Sequence, residues 1–295
     1  MNREQTLSQL RELNLQGMYE GYESIIHLPM DKQPEAHYLL ADLVEKEKYS
    51  RQHKKMEMYL KISKIRYTAQ IQDIECSKER NLSKEIISHL ADCNFIKRGE
   101  NILLSGSTGC GKSYLACAIA HQACSLGYKT LYLNMNKFVE QIAISKIDGT
   151  YVKQRSRLER NALLILDDFG LQPLKSDTRL ALLQILEDRY KKKSRIIASQ
   201  LPIDKWYEYI GDPTLADAIM DRLIYNAYKI ELKGPSMRER GAKTQAKRAK
   251  KARAVLNKFN KIIKQIITFK KPLFTMVNLN RIGWSISPDY TLRIS

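Results

Sequence analysis

The sequence has no long apolar run and little cysteine, and each of these absences excludes a class of protein. No stretch approaches the roughly 18 apolar residues of a membrane-spanning helix, and the opening residues MNREQTL lack the apolar core of a signal peptide. The five cysteines are odd in number and form no CxxC pair, so we expect reduced, mostly buried thiols and no zinc site. We therefore predict a cytoplasmic protein that has no membrane partner.

Acidic residues are also scarce relative to basic ones. The chain has 32 Asp and Glu against 50 Lys and Arg, which leaves a formal net charge of +18. This excess is too large for an ordinary solubilising surface, so polyanions are the expected partners. DNA and RNA come first, and an anionic membrane is the alternative that the lack of an apolar span disfavours.

Length and composition allow one substantial core and an appendage, because 43% of the 295 residues are hydrophobic. Residues 1–66 read as a helical N-terminal domain, in which Gly17 and Gly21 interrupt the first helical period and a longer helix covers Glu35 to about Arg66. The many cations of that longer helix form either a solvated face or a surface for nucleic acid or a partner. Residues 67–98 read as a connector with short helical pieces.

From residue 99 to about 240 the pattern predicts an α/β domain. Short apolar runs of strand length alternate with helical stretches, and a further strand, YKIELKG, follows them. This alternation is typical of a parallel sheet covered by helices on both faces. Residues 241–295 form a basic tail, in which Gly241 to Lys271 could form an amphipathic helix. The four runs are Glu100–Ser105, Lys129–Asn134, Ala162–Asp168 and Ser194–Gln200.

The segment GSTGCGKS fits the phosphate-loop pattern GxxxxGK[ST], known as Walker A, and stands between a predicted strand and a predicted helix. Glycines let the backbone wrap so that its N–H groups face the phosphates, and the following helix offers its positive end to the same anion. Lys112 is expected to neutralise the β- and γ-phosphates and Ser113 to bind Mg²⁺. A glycine turn without a ligand is the alternative. The predicted nucleotide-binding residues are Gly106, Ser107, Thr108, Gly109, Cys110, Gly111, Lys112 and Ser113.

A second motif, the acidic segment LLILDD, ends another apolar strand. Asp167 is expected to hold Mg²⁺ through water, and Asp168 to polarise the attacking water, which indicates ATP hydrolysis. Carboxylates at the start of a helix are the alternative. A small-molecule kinase would need an acceptor pocket and an arginine-rich lid, and the segment between the third and fourth strands resembles neither.

Three further residues are candidates for contact with the γ-phosphate. Gln200 ends the fourth strand, where a polar side chain can sense this group. Arg222 ends the helix in DPTLADAIMDRL and could project into the nucleotide of a neighbouring subunit, which would make the protein a homo-oligomer. The alternative for Arg222 is a surface salt bridge with Asp217 or Asp221. Arg238, in GPSMR, is a candidate for a second contact within the same subunit.

The order of these motifs resembles the IstB family from about Leu7 to Arg240. The similar segments include LRELNLQGMYEGY, GSTGCGKSYLACAIAHQA, LLILDDFGLQPL and SQLP followed by GDPTLADAIMDRL. Members of this family are helper ATPases of bacterial insertion sequences, related to the helicase loader DnaC and the initiator DnaA within the AAA+ class. The resemblance assigns Gln200 and Arg238 to the two sensor positions and Arg222 to the trans-acting arginine. Gln200 departs from the asparagine usual in AAA+ proteins.

The resemblance implies assembly on duplex DNA in the ATP-bound state, deformation of that DNA, and recruitment or stimulation of a partner transposase, in association with the bacterial nucleoid. Two other functions stay open. A DnaC-like helicase loader would share the ATPase core, and a plain DNA-binding protein would have a degenerate nucleotide site. No DDE-type triad is evident, so the chain is not expected to be the transposase. The tail is either an additional DNA-binding arm or a segment without a selected role.

Overall fold

The computed structural model describes residues 3–237, in which helices come first and strands then alternate with helices. The predicted sensor Arg238 and the predicted basic helix from Gly241 lie outside the described residues. The helices are α1 (Arg3–Glu12), α2 (Gln16–Ile26), α3 (Ala36–Ser63), α4 (Lys84–Ala91), α5 (Asn94–Arg98), α6 (Lys112–Ser125), α7 (Met135–Ile147), α8 (Tyr151–Glu159), α9 (Ser176–Arg189), α10 (Trp206–Ile210) and α11 (Pro213–Ile224). The strands are β1 (Asn101–Gly106), β2 (Thr130–Asn134), β3 (Leu163–Phe169), β4 (Ser194–Ser199) and β5 (Ala227–Leu232).

The five strands form one parallel sheet in the order β2-β3-β4-β1-β5. Strands β3, β4 and β1 occupy the centre and are buried along almost their whole length. Parallel strands covered on both faces have continuous apolar runs, which is the pattern that the sequence shows. The predicted α/β fold, a parallel sheet flanked by helices and preceded by a helical region, is confirmed.

Successive side chains of each strand point to opposite faces of the sheet and so build two cores. Ile102 and Leu104 of β1 lie in the core that includes α6, whereas Leu103 lies in the core formed with helices α7 to α11. In β3, Ile165 joins the first core and Leu166 the second. Burial on both faces therefore fixes the position of the loop and side chains that follow each strand.

The structure corrects the expectation that glycines interrupt the first helical segment. The break lies at residues 13–15, and both Gly17 and Gly21 are inside α2. At Gly17 an added Cβ would lie 2.6 Å from the Cα of Glu47, a backbone atom of α3. The glycine is therefore a point of close approach between two helices. The carboxylate of Glu47 accepts hydrogen bonds from the backbone N–H groups of Gly17 and Met18, at 2.7 and 3.3 Å.

Helix α3 connects the N-terminal helices to the sheet. It packs against α2, against α6 and against β2. The described residues form one compact unit by their contacts. Within them, no helix is both long enough and apolar enough to cross a membrane.

The cysteines lie mostly in the interior, and all five are free thiols. Cys93, Cys110, Cys117 and Cys124 are buried, and Cys76 is partly exposed. Burial raises the pKa of the Cys93 thiol to about 12, so this side chain stays protonated and acts as a small apolar group.

Candidate phosphate-binding and acidic site

The predicted phosphate loop connects β1 to α6. At Gly106, where φ is +142°, a Cβ would overlap the carbonyl oxygen of Leu232. At Gly111, where φ is +98°, a Cβ would lie 2.9 Å from the Nη2 atom of Arg80. Only glycine fits these two positions, since L side chains disfavour this backbone region and no space exists for them. The loop consequently curls over the start of α6, whose N-terminus carries partial positive charge.

Lys112 lies inside the curve of this loop. Its side chain is 6% exposed, and its Nζ donates hydrogen bonds to the carbonyl oxygens of Gly106 and Ser107, at 2.8 and 2.9 Å. Ser113 follows on the same helical turn and is partly buried, whereas Ser107 and Thr108 are exposed at the tip of the loop. The loop thus surrounds a cation and has a hydroxyl beside it.

The acidic pair lies at the carboxyl end of β3. Asp167 is 1% exposed and accepts a hydrogen bond from the hydroxyl of Tyr132, the neighbouring side chain on β2. Its other oxygen accepts the backbone N–H of Asp168 at 2.9 Å. Burial and the charge of Asp167 raise the pKa of Tyr132, which keeps the phenol protonated as a donor. Asp167 is therefore a fixed, buried carboxylate.

Asp168 has a left-handed backbone, with φ at +59°, and a side chain that meets groups from two other segments. Its Oδ2 accepts a hydrogen bond from Asn134 Nδ2 at 2.5 Å and lies 3.9 Å from Nη1 of Arg66, which follows α3. Burial and the charge of Asp167 raise the pKa of Asp168, although Arg66, Asn134 and Lys112 oppose this increase. A carboxyl with a shifted pKa at the end of a central strand is a candidate functional group.

The register of the sheet brings these strand ends together. Ser199, the last residue of β4, pairs with Ser105 of β1 on one side and with Phe169 of β3 on the other. Gln200 follows at once and is partly buried. The structure therefore places Gln200 between the phosphate loop and the acidic pair, at the carboxyl edge of the sheet, where α/β proteins bind ligands.

Arg222 lies at the opposite edge of the sheet. Its carbonyl oxygen accepts a hydrogen bond from Nδ2 of Asn101, the first residue of β1, at 3.1 Å. The phosphate loop begins at the other end of that strand, roughly 16 Å away at the usual rise per residue. The Nε of Arg222 donates a hydrogen bond to Oε1 of Glu187 in α9 at 2.6 Å. Its Nη1 lies 3.6 Å from Oδ2 of Asp221. A surface ion pair is thus present, with Glu187 as its main partner rather than Asp217.

The structure adds four side chains that sequence reasoning missed. Tyr132 and Asn134 lie two residues apart on one face of β2 and reach the acidic pair because β2 lies beside β3. Arg66 reaches it from the end of α3, and buried Arg80 donates from Nη2 to the carbonyl oxygen of Cys110 at 3.1 Å. The polar end of the run KTLYLN is a signal that could have indicated Asn134. Nothing in the local sequence indicates either arginine.

Residues 8–246 match the family described as IstB-like ATP binding protein. The chain belongs to this family. The insertion sequence ATP-binding protein y4pL of Sinorhizobium fredii is 39% identical to this IstB-like chain over 233 residues, which cover 79% of the chain and 95% of that protein. The IS1162 ATP-binding protein of Pseudomonas fluorescens is 37% identical over 203 residues, which cover 68% of this chain and 88% of that protein. The family resemblance seen in the motifs is confirmed.

Solved structures resemble the IstB-like chain in fold. The crystal structure of a DNA replication initiation factor superposes with a TM-score of 0.50, at 20% identity, over 61% of this chain and 55% of that one. The crystal structure of the DnaC helicase loader superposes with a TM-score of 0.48, at 16% identity, over 57% of this chain and 98% of that one. The superposition with the initiation factor shows that the IstB-like chain shares its fold.

Proposed function

We propose that this IstB-like protein is the ATPase helper of an insertion sequence, which binds and hydrolyses ATP, assembles on duplex DNA and deforms it, and recruits or stimulates a partner transposase. The observation that carries the proposal is the convergence of the Lys112 loop and the Asp167–Asp168 pair at one edge of the sheet. Several relatives are named as ATP-binding proteins of insertion sequences, which supports the same function.

The residues of the loop suit a nucleoside triphosphate with Mg²⁺. The two glycines let the loop curl tightly against Leu232 and Arg80, and Lys112 is positioned to exchange its carbonyl partners for phosphate oxygens. Ser113 and Asp167 would hold Mg²⁺, which neutralises charge on the phosphates when bound. Oxygen ligands of this type are the ones that Mg²⁺ prefers.

Asp168 would orient the water that attacks the γ-phosphorus and accept its proton. Asn134 and Arg66 contact the same carboxylate oxygen, Oδ2, and so leave the other oxygen of Asp168 for the water. Gln200 would sense the γ-phosphate from the end of β4. Arg222 would act on the nucleotide of a neighbouring copy, and Arg238 would contribute from its own chain.

The charge of the chain supports binding to duplex DNA. A net charge of +18 favours contact with phosphates in preference to bases, and such binding weakens steeply with salt. Deforming a duplex costs on the order of 1–10 kcal/mol, which contacts repeated over an oligomer can offset. ATP would control that oligomer, because one nucleotide would be bound by two neighbouring copies.

The test compares the wild type with Asp168→Asn and with a control, Asp204→Asn, whose side chain is exposed. Asparagine tolerates the left-handed backbone at position 168, so the substitution changes charge with little effect on shape. We expect Asp168→Asn to lower kcat by about 10²- to 10⁴-fold while it still binds ATP and stays on random duplex DNA. The control should match the wild type.

Two results would contradict the proposal. The first is wild-type protein that ignores duplex DNA equally with and without a slowly hydrolysed ATP analogue. The second is unchanged turnover in Asp168→Asn. Co-purification with the transposase encoded by the same insertion sequence tests the partner separately, and the Asp168→Asn form is the better bait because it should remain assembled.

A further inference from the structure

A groove at the amino end of the sheet is lined by positively charged and neutral polar residues. It has a volume of about 620 Å³ and lies where α8 passes the start of β2. Four of its seven lining residues are basic, none is acidic, and the other three are polar. The groove is thus a concave cationic surface. Its lining residues are Lys129, Thr150, Lys153, Gln154, Ser156, Arg157 and Arg160.

Three of the cations form a single stripe along α8. Lys153, Arg157 and the C-cap residue Arg160 follow the spacing of one helical face, and all three are exposed. The opposite face of α8 is occupied, since Arg155 pairs with Asp188 of α9 at 2.6 Å. The stripe spans roughly 10 Å of helix rise, about the axial length of three phosphates on one strand of a duplex.

The C-terminal end of α8 is fixed by a buried guanidinium. Arg189 is fully buried and donates to the carbonyl oxygens of Leu158 at the end of α8, Asn161 before β3, and Ser194 at the start of β4, at 2.9, 2.8 and 2.7 Å. Burial and the charge of Arg195 lower the pKa of Arg189 to about 9, so the guanidinium remains charged at neutral pH. It therefore holds the end of α8, which carries Arg157 and Arg160, against the starts of β3 and β4.

This groove is separate from the nucleotide site. Lys129 directly precedes β2, and its carbonyl oxygen accepts the backbone N–H of Ala162 before β3 at 2.8 Å. The phosphate loop and the acidic pair lie at the other end of the strands, more than about 15 Å away at the rise of a parallel strand. Its cations are therefore available to a second anionic ligand while a nucleotide is bound.

The lining also indicates which polyanion fits. Proteins that bind single strands stack bases on aromatic side chains, and those that bind lipid or peptide expose apolar ones. The seven lining residues include neither kind. Lysine, arginine and small polar side chains are the groups that contact the phosphodiester backbone of a duplex without reading its bases.

We propose that the groove formed by Lys129, Lys153, Arg157 and Arg160 binds the phosphate backbone of duplex DNA. The inference rests on the proposed function and identifies the surface through which the protein contacts DNA. The contact is independent of sequence, and it orients the duplex along α8 at the edge of the sheet opposite the nucleotide.

The experiment compares two variants of equal charge. The first is the triple variant Lys153→Gln, Arg157→Gln and Arg160→Gln. The matched control is Lys48→Gln, Lys54→Gln and Lys61→Gln, which removes three exposed cations of α3. Affinity for a labelled random-sequence duplex, and for one of its strands alone, is measured over a salt series with a slowly hydrolysed ATP analogue. Thermal melting and ATP affinity verify that each variant is folded.

We expect the groove variant to bind duplex more weakly and its slope of log K against log salt to become less negative by about 2 to 3. The α3 control should keep a slope near that of the wild type. The single variant Arg157→Gln should change the slope by about 0.9. It provides the test if the triple variant does not fold.

A wild type that binds duplex and a groove variant with the same slope would overturn the groove assignment and leave the proposed function standing. A larger loss in the α3 control, or a loss confined to the single strand, would also overturn it. If the wild type binds no duplex with the ATP analogue, the proposed function itself fails.

Discussion

At the scale of single residues, Glu47 shows how a buried charge stabilises the N-terminal helices. Its side chain is 7% exposed. Burial alone would raise the pKa of this carboxyl, but Arg51 and the N–H groups of Met18 and Gly17 outweigh it and hold the pKa below its usual value. The carboxylate satisfies donors at the start of α2 that have no partner within that helix.

Glu47→Gln should therefore destabilise the protein at neutral pH, by about 1–3 kcal/mol, because it removes the charge that these donors contact. The pKa is lower in the folded state, so the contribution is present above the unfolded value near 4.5 and disappears as the pH falls through the folded value. Chemical denaturation of both proteins from about pH 7 down to pH 3 tests this.

The exposed residue Glu57 on the same helix provides the control, since Glu57→Gln should leave the free energy of unfolding nearly unchanged. A difference between wild type and Glu47→Gln that stays constant down to pH 3 would show that charge is not the source of the stabilisation.

At the scale of elements, the crossing of α2 over α3 depends on the absence of a side chain at Gly17. A methyl group there would overlap the carbonyl oxygen of Lys46, whereas at Gly21 it would meet Cδ atoms of Lys46 and Leu43, of which the lysine is flexible. Gly17→Ala should lower the free energy of unfolding by about 1–3 kcal/mol through forced separation of the helices.

Gly21→Ala is the matched control, because both substitutions gain the same helix propensity. It should be much less destabilising, and thermal melting measures both. Equal melting temperatures for the two variants would mean that the close approach at Gly17 has no energetic consequence.

The central strands could be predicted from the sequence because their signals are local. The run ALLILDD is apolar because β3 is buried on both faces, and its carboxylates follow because the strand ends at the edge of the sheet. The phosphate loop could be predicted for the same reason, because its backbone conformation requires glycine. The loop and the acidic pair can therefore be located in the fold from the sequence alone.

Contacts that depend on tertiary packing could not be predicted in this way. Gly17 reads as a helix interruption because glycine weakens an isolated helix, and only the position of α3 shows why it is inside one. Arg66 reaches Asp168 because α3 packs on α6 and β2. No feature of the segment KIRYT indicates a contact with a carboxylate about a hundred residues later.

For the chain as a whole, the position of Arg222 bears on the proposal that two copies share one nucleotide. Its backbone lies at the end of β1 away from the phosphate loop, so we propose that it acts on the nucleotide of another copy. Arg222→Ala should therefore bind ATP and lose turnover, by about 10³- to 10⁵-fold if it behaves as a trans-acting arginine.

Mixing Arg222→Ala with Asp168→Asn provides the decisive measurement. Each variant supplies the group that the other lacks, so sites that combine Asp168 of one copy with Arg222 of the other should recover activity. Neither variant alone should gain activity at any concentration. An inactive mixture would contradict a shared site, and Glu187→Gln, which frees the arginine from its partner, should remain active.

The order of the strands also determines when the chain can fold during synthesis. Strand β1 carries the phosphate loop, yet its two neighbours are β4 and β5, so Ile102 pairs with Ile196 and Tyr228. A nascent chain that has emerged from the ribosome only as far as α9 exposes both edges of an apolar strand. Such long-range pairing is slow, so the apolar edges of β1 stay open to aggregation until β5 has been made.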